Sequence, residues 1–252
     1  MILVKTFYAY NELRNYSYLI LDNESGDSWV IDPYEASPII DYIKKNGIKL
    51  KGILNTHQHF DHIRGNAPLI DAFHSPVQKL KNSSSITLTS GHSLESLDTP
   101  GHTMDHQVFI WKQEDQPLAL FSGDTLFNSG VGNCRSGDPN TLYQTTEKLL
   151  KTLPDSTLLY PGHDYRKRNL EFAHEMEPEN WVVKESLSSI KGERTEELSP
   201  VTLGDEKKVN PFLRLNSEEL KHNLLKNSSP LSDEKENERQ LFLTLRKLRD
   251  QW

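Results

Sequence analysis

The chain has 252 residues, 35% hydrophobic and 26% charged, with a formal net charge of -7; this suits one large domain, or a large one with a small appendage, under a wet surface. No apolar run approaches the roughly 20 residues a helix needs to cross a bilayer, and the N-terminus lacks the basic start and long apolar stretch of a secretory signal, so a cytoplasmic protein is expected. All the excess negative charge falls in residues 1–179, which argues against a nucleic-acid surface, and the single cysteine, Cys134, excludes an intrachain disulfide and any multi-cysteine zinc site.

Residues 3–10, 16–22 and 28–32 are short runs rich in Val, Ile, Leu and Tyr, separated by turn signals, and predict consecutive antiparallel strands. Residues 36–46 place Ile39, Ile40 and Ile43 at helical spacing, end on Lys44-Lys45 and meet Gly47, the basic last turn and glycine stop of a helix. A strand at 50–55 follows. Strands at 86–88, 107–111, 118–122 and 157–160 then alternate with a helix at 139–153, and a further helix covers 167–176. The pattern is α/β, with sheets sandwiched under outer helices. Residues 181–209 are charged and weakly periodic, with loop-like pieces at 191–194 and 203–207. The last stretch, 233–250, predicts a helix with Leu241, Leu245 and Leu248 on one face and Arg246 and Arg249 projecting together from a neighbouring one.

The chemistry is concentrated in Asn55-Thr-His-Gln-His-Phe-Asp-His62, directly after the strand at 50–55. Residues two apart on an extended chain face the same side, so His57 and His59 can address one metal ion. A turn into helix then swings Asp61 and His62 toward a second point. Four neutral or anionic N and O donors within six residues are costly to bury unpaired and suit divalent cations. Three more segments carry a donor at the tip of a strand or glycine turn: Thr99-Pro-Gly-His-Thr103 offers His102, Phe121-Ser-Gly-Asp-Thr125 offers Asp124, and Leu159-Tyr-Pro-Gly-His-Asp164 offers His163. His106 reads either as a partner orienting a ligand or as a structural histidine. His74, His92, His174 and His222 read as surface or packing residues. Cys134 lies near Asp124 in sequence but reads as inert.

These motifs resemble the metallo-β-lactamase fold superfamily, and within it the hydroxyacylglutathione hydrolases (glyoxalase II); the likeness covers most of residues 1–179, resumes at Asn210-Pro-Phe212 and returns in residues 245–252. The resemblance implies an αββα sandwich, with residues 1–179 as the catalytic domain and 180–252 as a mainly helical substrate-binding appendage. It implies two divalent metal ions, zinc first and iron or manganese as alternatives. His57, His59 and His102 would hold the first, Asp61, His62 and His163 the second, and Asp124 would bridge them. Two cations sharing a water hold it as hydroxide near neutral pH and stabilise the oxyanion that develops as it attacks. A thiolate leaving group, with a pKa near ~8.5, needs no strong general acid. Asp61 then serves as a ligand that also orients the nucleophile.

By the same resemblance, Tyr165, Arg246 and Arg249 would hold a glutathione-derived thioester, an i, i+3 basic pair suiting a carboxylate. The loop Gly130-Val-Gly-Asn-Cys-Arg-Ser-Gly137 departs from the family pattern: Asn133 replaces a basic residue, and Arg135 stands where an aromatic is expected. The expected activity is hydrolysis of S-(2-hydroxyacyl)glutathione or a related small thioester by a monomer or small homo-oligomer, without membrane or nucleic-acid partners. A mononuclear-iron persulfide dioxygenase is the principal alternative. A nucleic-acid-processing relative and a lactonase are the others.

Overall fold

Short runs rich in Ile, Leu, Val and Tyr near the N-terminus fold as three strands, β1 (Ile2–Tyr8), β2 (Tyr16–Asp22) and β3 (Asp27–Ile31), in a computed structural model whose described residues are 1–190, 199–224 and 234–252. β2 pairs antiparallel with both neighbours. A parallel fourth strand requires a crossover. Helix α1 (Ala36–Lys45) supplies it and delivers β4 (Lys49–Leu54) alongside β3. Ala36, Ile39 and Ile43 fall on one face of α1 and are buried, together with Leu69 of α3 (Asn66–Phe73), against Leu19, Val30, Leu50 and Ile53. Ile39 and Ile43 are fully covered, each contributing about 1.5–3 kcal/mol by burial.

The chain divides into two compact units that interleave along the sequence. Met1–Thr99, Asp105–Gly123 and Tyr160–Asp164 form the first; Pro100–Met104, Asp124–Leu159 and Tyr165–Trp252 form the second. The first unit also contains a meander of β5 (Ser85–Thr87), β6 (His92–Asp98), β7 (Gln107–Gln113) and β8 (Gln116–Gly123). Glu114 and Asp115 turn β7 into β8 with φ of 49° and 65°, the left-handed pair that matches the twist of a two-residue hairpin. Between the sheets lie Tyr18, Ile20, Ile31 and Leu54 from one side and Leu94, Phe109 and Phe121 from the other. Tyr18 meets the rings of Phe121 and Tyr160 edge-on at 5.4 and 5.3 Å.

In the second unit, β9 (Leu126–Phe127) and β10 (Gly130–Val131) form a small hairpin. Helix α4 (Pro139–Thr152) begins with proline in its first turn and Asp138 accepting from the Thr141 N–H. Strand β11 (Leu158–Pro161) pairs through Leu158 and Leu159 with β12 (Val201–Thr202). Helices α5 (Arg166–Met176) and α6 (Trp181–Ser189) pack through Leu170, Ala173 and Val183, and α7 (Leu203–Val209) adds Val209. The expected loop at 203–207 is therefore corrected to a helix. The Thr202 hydroxyl caps the Asp205 N–H, Asp205 and Glu206 occupy the first turn, and Lys207 and Lys208 the last; end effects fold this segment where apolar periodicity is weak. The piece at 191–194 lies outside the described residues, as does Asp233. After α8 (Glu218–Leu224), helix α9 (Glu234–Gln251) buries Leu241, Phe242 and Leu245, while Leu248 is half-buried. Among the described residues, no helix is long and apolar enough to cross a membrane.

Candidate metal centre

The parallel pairing of β3 and β4 brings Asp32, just past β3, to the chain leaving β4. Its N–H donates to the Leu54 carbonyl at 3.0 Å, and its φ of 49° is a left-handed conformation uncommon for a residue other than glycine. So held, the buried carboxylate accepts the Thr56 N–H at 2.7 Å, the Thr56 hydroxyl at 2.6 Å and Nδ1 of His62 at 2.9 Å. The turn expected after His59 is the short helix α2 (Phe60–Ile63), which carries Asp61 and His62.

These hydrogen bonds assign the ring nitrogens. The Thr56 hydroxyl spends its proton on Asp32, so at 3.0 Å it accepts from Nδ1 of His57. Nε2 of His57 is then a lone pair, 3.0 Å from Nδ1 of His59. His163 donates Nδ1 to the Leu13 carbonyl at 2.8 Å. This carbonyl lies where residues 13–16 run beside 162–164, with Tyr16 bonded to Gly162 and Asp164 to Arg14. Nε2 of His62 and Nε2 of His163 consequently face each other as lone pairs at 3.2 Å. Oδ2 of Asp61, held by Nδ2 of Asn15 at 2.9 Å, is 3.5 Å from the first and 3.4 Å from the second.

The donor set fits a divalent cation. Ligand atoms of Asp61, His62 and His163 lie within 4.8 Å of one another, and each is an acceptor turned toward acceptors. Such a grouping repels itself when buried unless a cation or proton sits among the atoms. Anchoring Nδ1 on a carboxylate or carbonyl, as His62 and His163 do, is how metal-ligating histidines are oriented.

In the second unit His102 repeats this design. Nδ1 donates to the Asn133 carbonyl at 2.7 Å, leaving Nε2 3.4 Å from Oδ2 of Asp124, and both side chains are buried. A Cβ on Gly132 would come within 1.9 Å of the Asp124 carbonyl oxygen, so only glycine lets this loop pass so close.

The residues expected to meet substrate divide. The Tyr165 ring is half-buried, edge-on to Phe127 at 5.3 Å. Arg249 is half-buried over Phe172 and Trp252, with Nη2 on Asn169 at 3.2 Å. Burial and the positive charges of Arg168 and Arg246 bring its pKa down to about 10, and Tyr165 lies close enough to act on that charge. Arg246 instead points inward, 5% exposed, with Nη1 donating to the carbonyls of Val131 and Gly132 at 2.9 and 3.0 Å. The two arginines do not project together as expected, because the short loop draws one of them in. Arg135 is exposed; its backbone N–H donates to Oδ1 of the half-buried Asn133.

Burial pushes the Cys134 thiol up to about 12, so it is no nucleophile at neutral pH. His106 is buried, bonded through Nδ1 to Thr99 at 2.9 Å and stacked on the His57 ring at 4.9 Å. His74 and His222 are exposed; His92 accepts from Trp111. Sequence reasoning missed Asp32, Asn15 and Thr56. Asp32-Pro33 signalled a turn, and nothing local marked its carboxylate.

A family model described as Metallo-beta-lactamase superfamily matches residues 10–83, and one described as Hydroxyacylglutathione hydrolase C-terminus matches residues 164–252. The metallo-beta-lactamase of Staphylococcus aureus subsp. aureus COL superposes with a TM-score of 0.64 over 98% of this chain and 71% of that one, at 22% identity, a likeness of fold. Fold and donor set together define a metal-dependent hydrolase of the metallo-β-lactamase superfamily, an α/β sandwich with a C-terminal helical region that binds divalent metal. The hydroxyacylglutathione hydrolase of Polaromonas sp. is 39% identical over 99% of this chain and 100% of its own length. The Arabidopsis thaliana protein named hydroxyacylglutathione hydrolase cytoplasmic is 35% identical over 83% of this chain and 88% of its own. The chain belongs to the hydroxyacylglutathione hydrolase family.

Proposed function

We propose that the protein hydrolyses S-(2-hydroxyacyl)glutathione to glutathione and a 2-hydroxy acid in the cytoplasm. The observation that carries this reading is the acceptor-only cluster of Asp61, His62 and His163 in a chain that aligns end to end with hydroxyacylglutathione hydrolases. Cytoplasmic placement is supported by the similarity to a relative named cytoplasmic. In this reading His57, His59 and His102 would hold one ion and Asp61, His62 and His163 the second, with Asp124 as a further carboxylate ligand. Zinc is the first candidate, with iron or manganese as alternatives, because imidazole and carboxylate donors suit all three. Bound there, the pair supplies a water of lowered pKa and positive charge for the carbonyl oxygen.

The chain's own residues do the rest. Asn15 holds the Asp61 carboxylate in one orientation toward the reacting centre. The leaving thiolate needs no strong acid, and none is required of Cys134. Arg249, with Arg168 nearby, offers positive charge to the carboxylates of a peptide-like thiol, and Tyr165 lines the same surface. Arg135 and Asn133 stand on the loop that meets the thiol in the family, where exposed Arg135 supplies the positive charge that Asn133 lacks. Residues 1–179 carry catalysis in this scheme, and 180–252 form a substrate-binding appendage that adds Arg249 to the thiol contacts of Tyr165, Asn133 and Arg135.

Elemental analysis paired with S-lactoylglutathione hydrolysis on one sample tests the proposal. Two metals per chain with turnover that collapses in Asp124→Ala is the expected result. One iron with oxygen uptake on glutathione persulfide assigns a dioxygenase instead, and two metals without thioester turnover assigns another substrate.

A further inference from the structure

We infer that Arg246 is a positioning residue for His102, acting through the backbone of residues 131–133 rather than by touching substrate. The inference rests on the reading of His102 as a metal ligand and deepens it. A guanidinium has five N–H donors. Both on Nη1 are committed to the carbonyls of Val131 and Gly132, and Nη2 donates to Asp250 at 2.8 Å. Nε is buried with no hydrogen-bond partner. With the residue 5% exposed and Phe212 under the guanidinium at 5.5 Å, Nε and the remaining Nη2 N–H are covered as well, so it is burial that keeps a substrate carboxylate from this group.

The next carbonyl along, that of Asn133, accepts Nδ1 of His102 at 2.7 Å. The two oxygens Arg246 clamps therefore lie immediately before the one that sets the tautomer and direction of His102. The clamp belongs to a wider arrangement, because Nδ2 of Asn210 holds the Gly130 carbonyl at 3.1 Å and Nδ2 of Asn169 holds that of Asn128 at 2.9 Å. The loop has little slack: a Cβ on Gly132 would also stand 3.0 Å from Nδ1 of His102. Losing the fork frees the Asn133 carbonyl to move, and with it the hydrogen bond that presents Nε2 toward Asp124. Partners of this kind affect metal affinity by roughly 10–100-fold. Arg249, half-buried with a single 3.2 Å hydrogen bond, is the natural contrast.

The test compares wild-type protein with Arg246→Gln, Arg246→Lys and Arg249→Gln, all full-length and metal-loaded. Metal per chain is measured after equilibration with graded chelator, alongside the visible spectrum of the cobalt(II)-substituted protein and the KM for thioester. Arg246→Gln should release one metal at roughly 10–100-fold less chelator and alter the cobalt spectrum. Arg249→Gln should keep both metals and raise KM. Metal retention and cobalt spectrum like wild type in Arg246→Gln, with a raised KM, would overturn the inference and make Arg246 a substrate contact. If Arg246→Gln does not fold, Arg246→Lys decides, since an ammonium does not reproduce the planar fork: weakened retention supports the inference, and wild-type retention overturns it. Wild-type protein that takes up no metal sinks the reading of His102 as a ligand, and this inference with it.

Discussion

Oδ2 of Asp32 lies 2.9 Å from Nδ1 of His62, and both side chains are buried. The same carboxylate receives the N–H and hydroxyl of Thr56, whose hydroxyl in turn accepts from His57. One acid thus orients two histidines of the cluster. Asp32→Ala should lower metal affinity by roughly 10–100-fold. It should also cost about 1.5–3 kcal/mol or more of stability, since hydrogen bonds to a charged group are lost and buried donors are left unpaired. Chelator titration and a urea midpoint measured together check this; unchanged values in both would show that Thr56 and the chain around β3 and β4 hold the histidines unaided.

Glu206 is buried beneath the hairpin that follows Asp124, accepting the Ser129 N–H at 2.6 Å and Nδ2 of Asn128 at 3.2 Å. Burial raises its pKa from 4.5 to about 7. The folded state therefore holds the proton over a range in which the unfolded chain has released it, and this group's contribution to stability falls as pH rises from about 4.5 to about 7. Comparing wild type with Glu206→Gln isolates the effect from the titration of the metal ligands. The stability of wild type relative to the variant should decline between pH 5 and pH 8, as read from melting temperatures at matched metal loading. A pH-independent difference would mean that the carboxylate stays ionised throughout.

Glu177, fully buried at the end of α5, receives Nε and Nη2 of Arg214 at 2.9 and 3.0 Å and the Ser217 hydroxyl at 2.6 Å. Removing one partner of such a pair leaves an uncompensated buried charge. Arg214→Ala should destabilise the fold by about 3 kcal/mol, the lower end of the range because Arg214 is partly exposed. Arg214→Ala with Glu177→Gln should recover part of the loss, because the stranded charge is then gone. Denaturant unfolding of both variants gives the answer, and equal losses would contradict the charge argument.

Much of the fold was legible because its signals are local. The runs at 16–22 and 139–153 appear as β2 and α4 with ends shifted by no more than a residue, since a Tyr, Leu and Ile run and the Asp138-Pro139 start are written in adjacent positions. Strand β6 escaped notice because His92-Ser-Leu-Glu-Ser-Leu-Asp98 is mostly polar, and its Ser96, fully buried, spends its hydroxyl on the Lys81 carbonyl instead of facing solvent. Helix α7 escaped because its signal sits at its ends.

The sequence by itself determined the donor types and their local order: His57, His59, Asp61 and His62 sit where a strand meets a helical turn, and that spacing alone marks a place for cations. Only the tertiary structure decided what holds those donors in place and which arginine faces inward. Asp32 is 30 residues from His62, the Leu13 carbonyl 150 from His163, and Arg246 115 from Val131. Periodicity reports which face of an element is buried, whereas a hydrogen bond across such separations depends on how strands and loops are brought together, which no local pattern encodes.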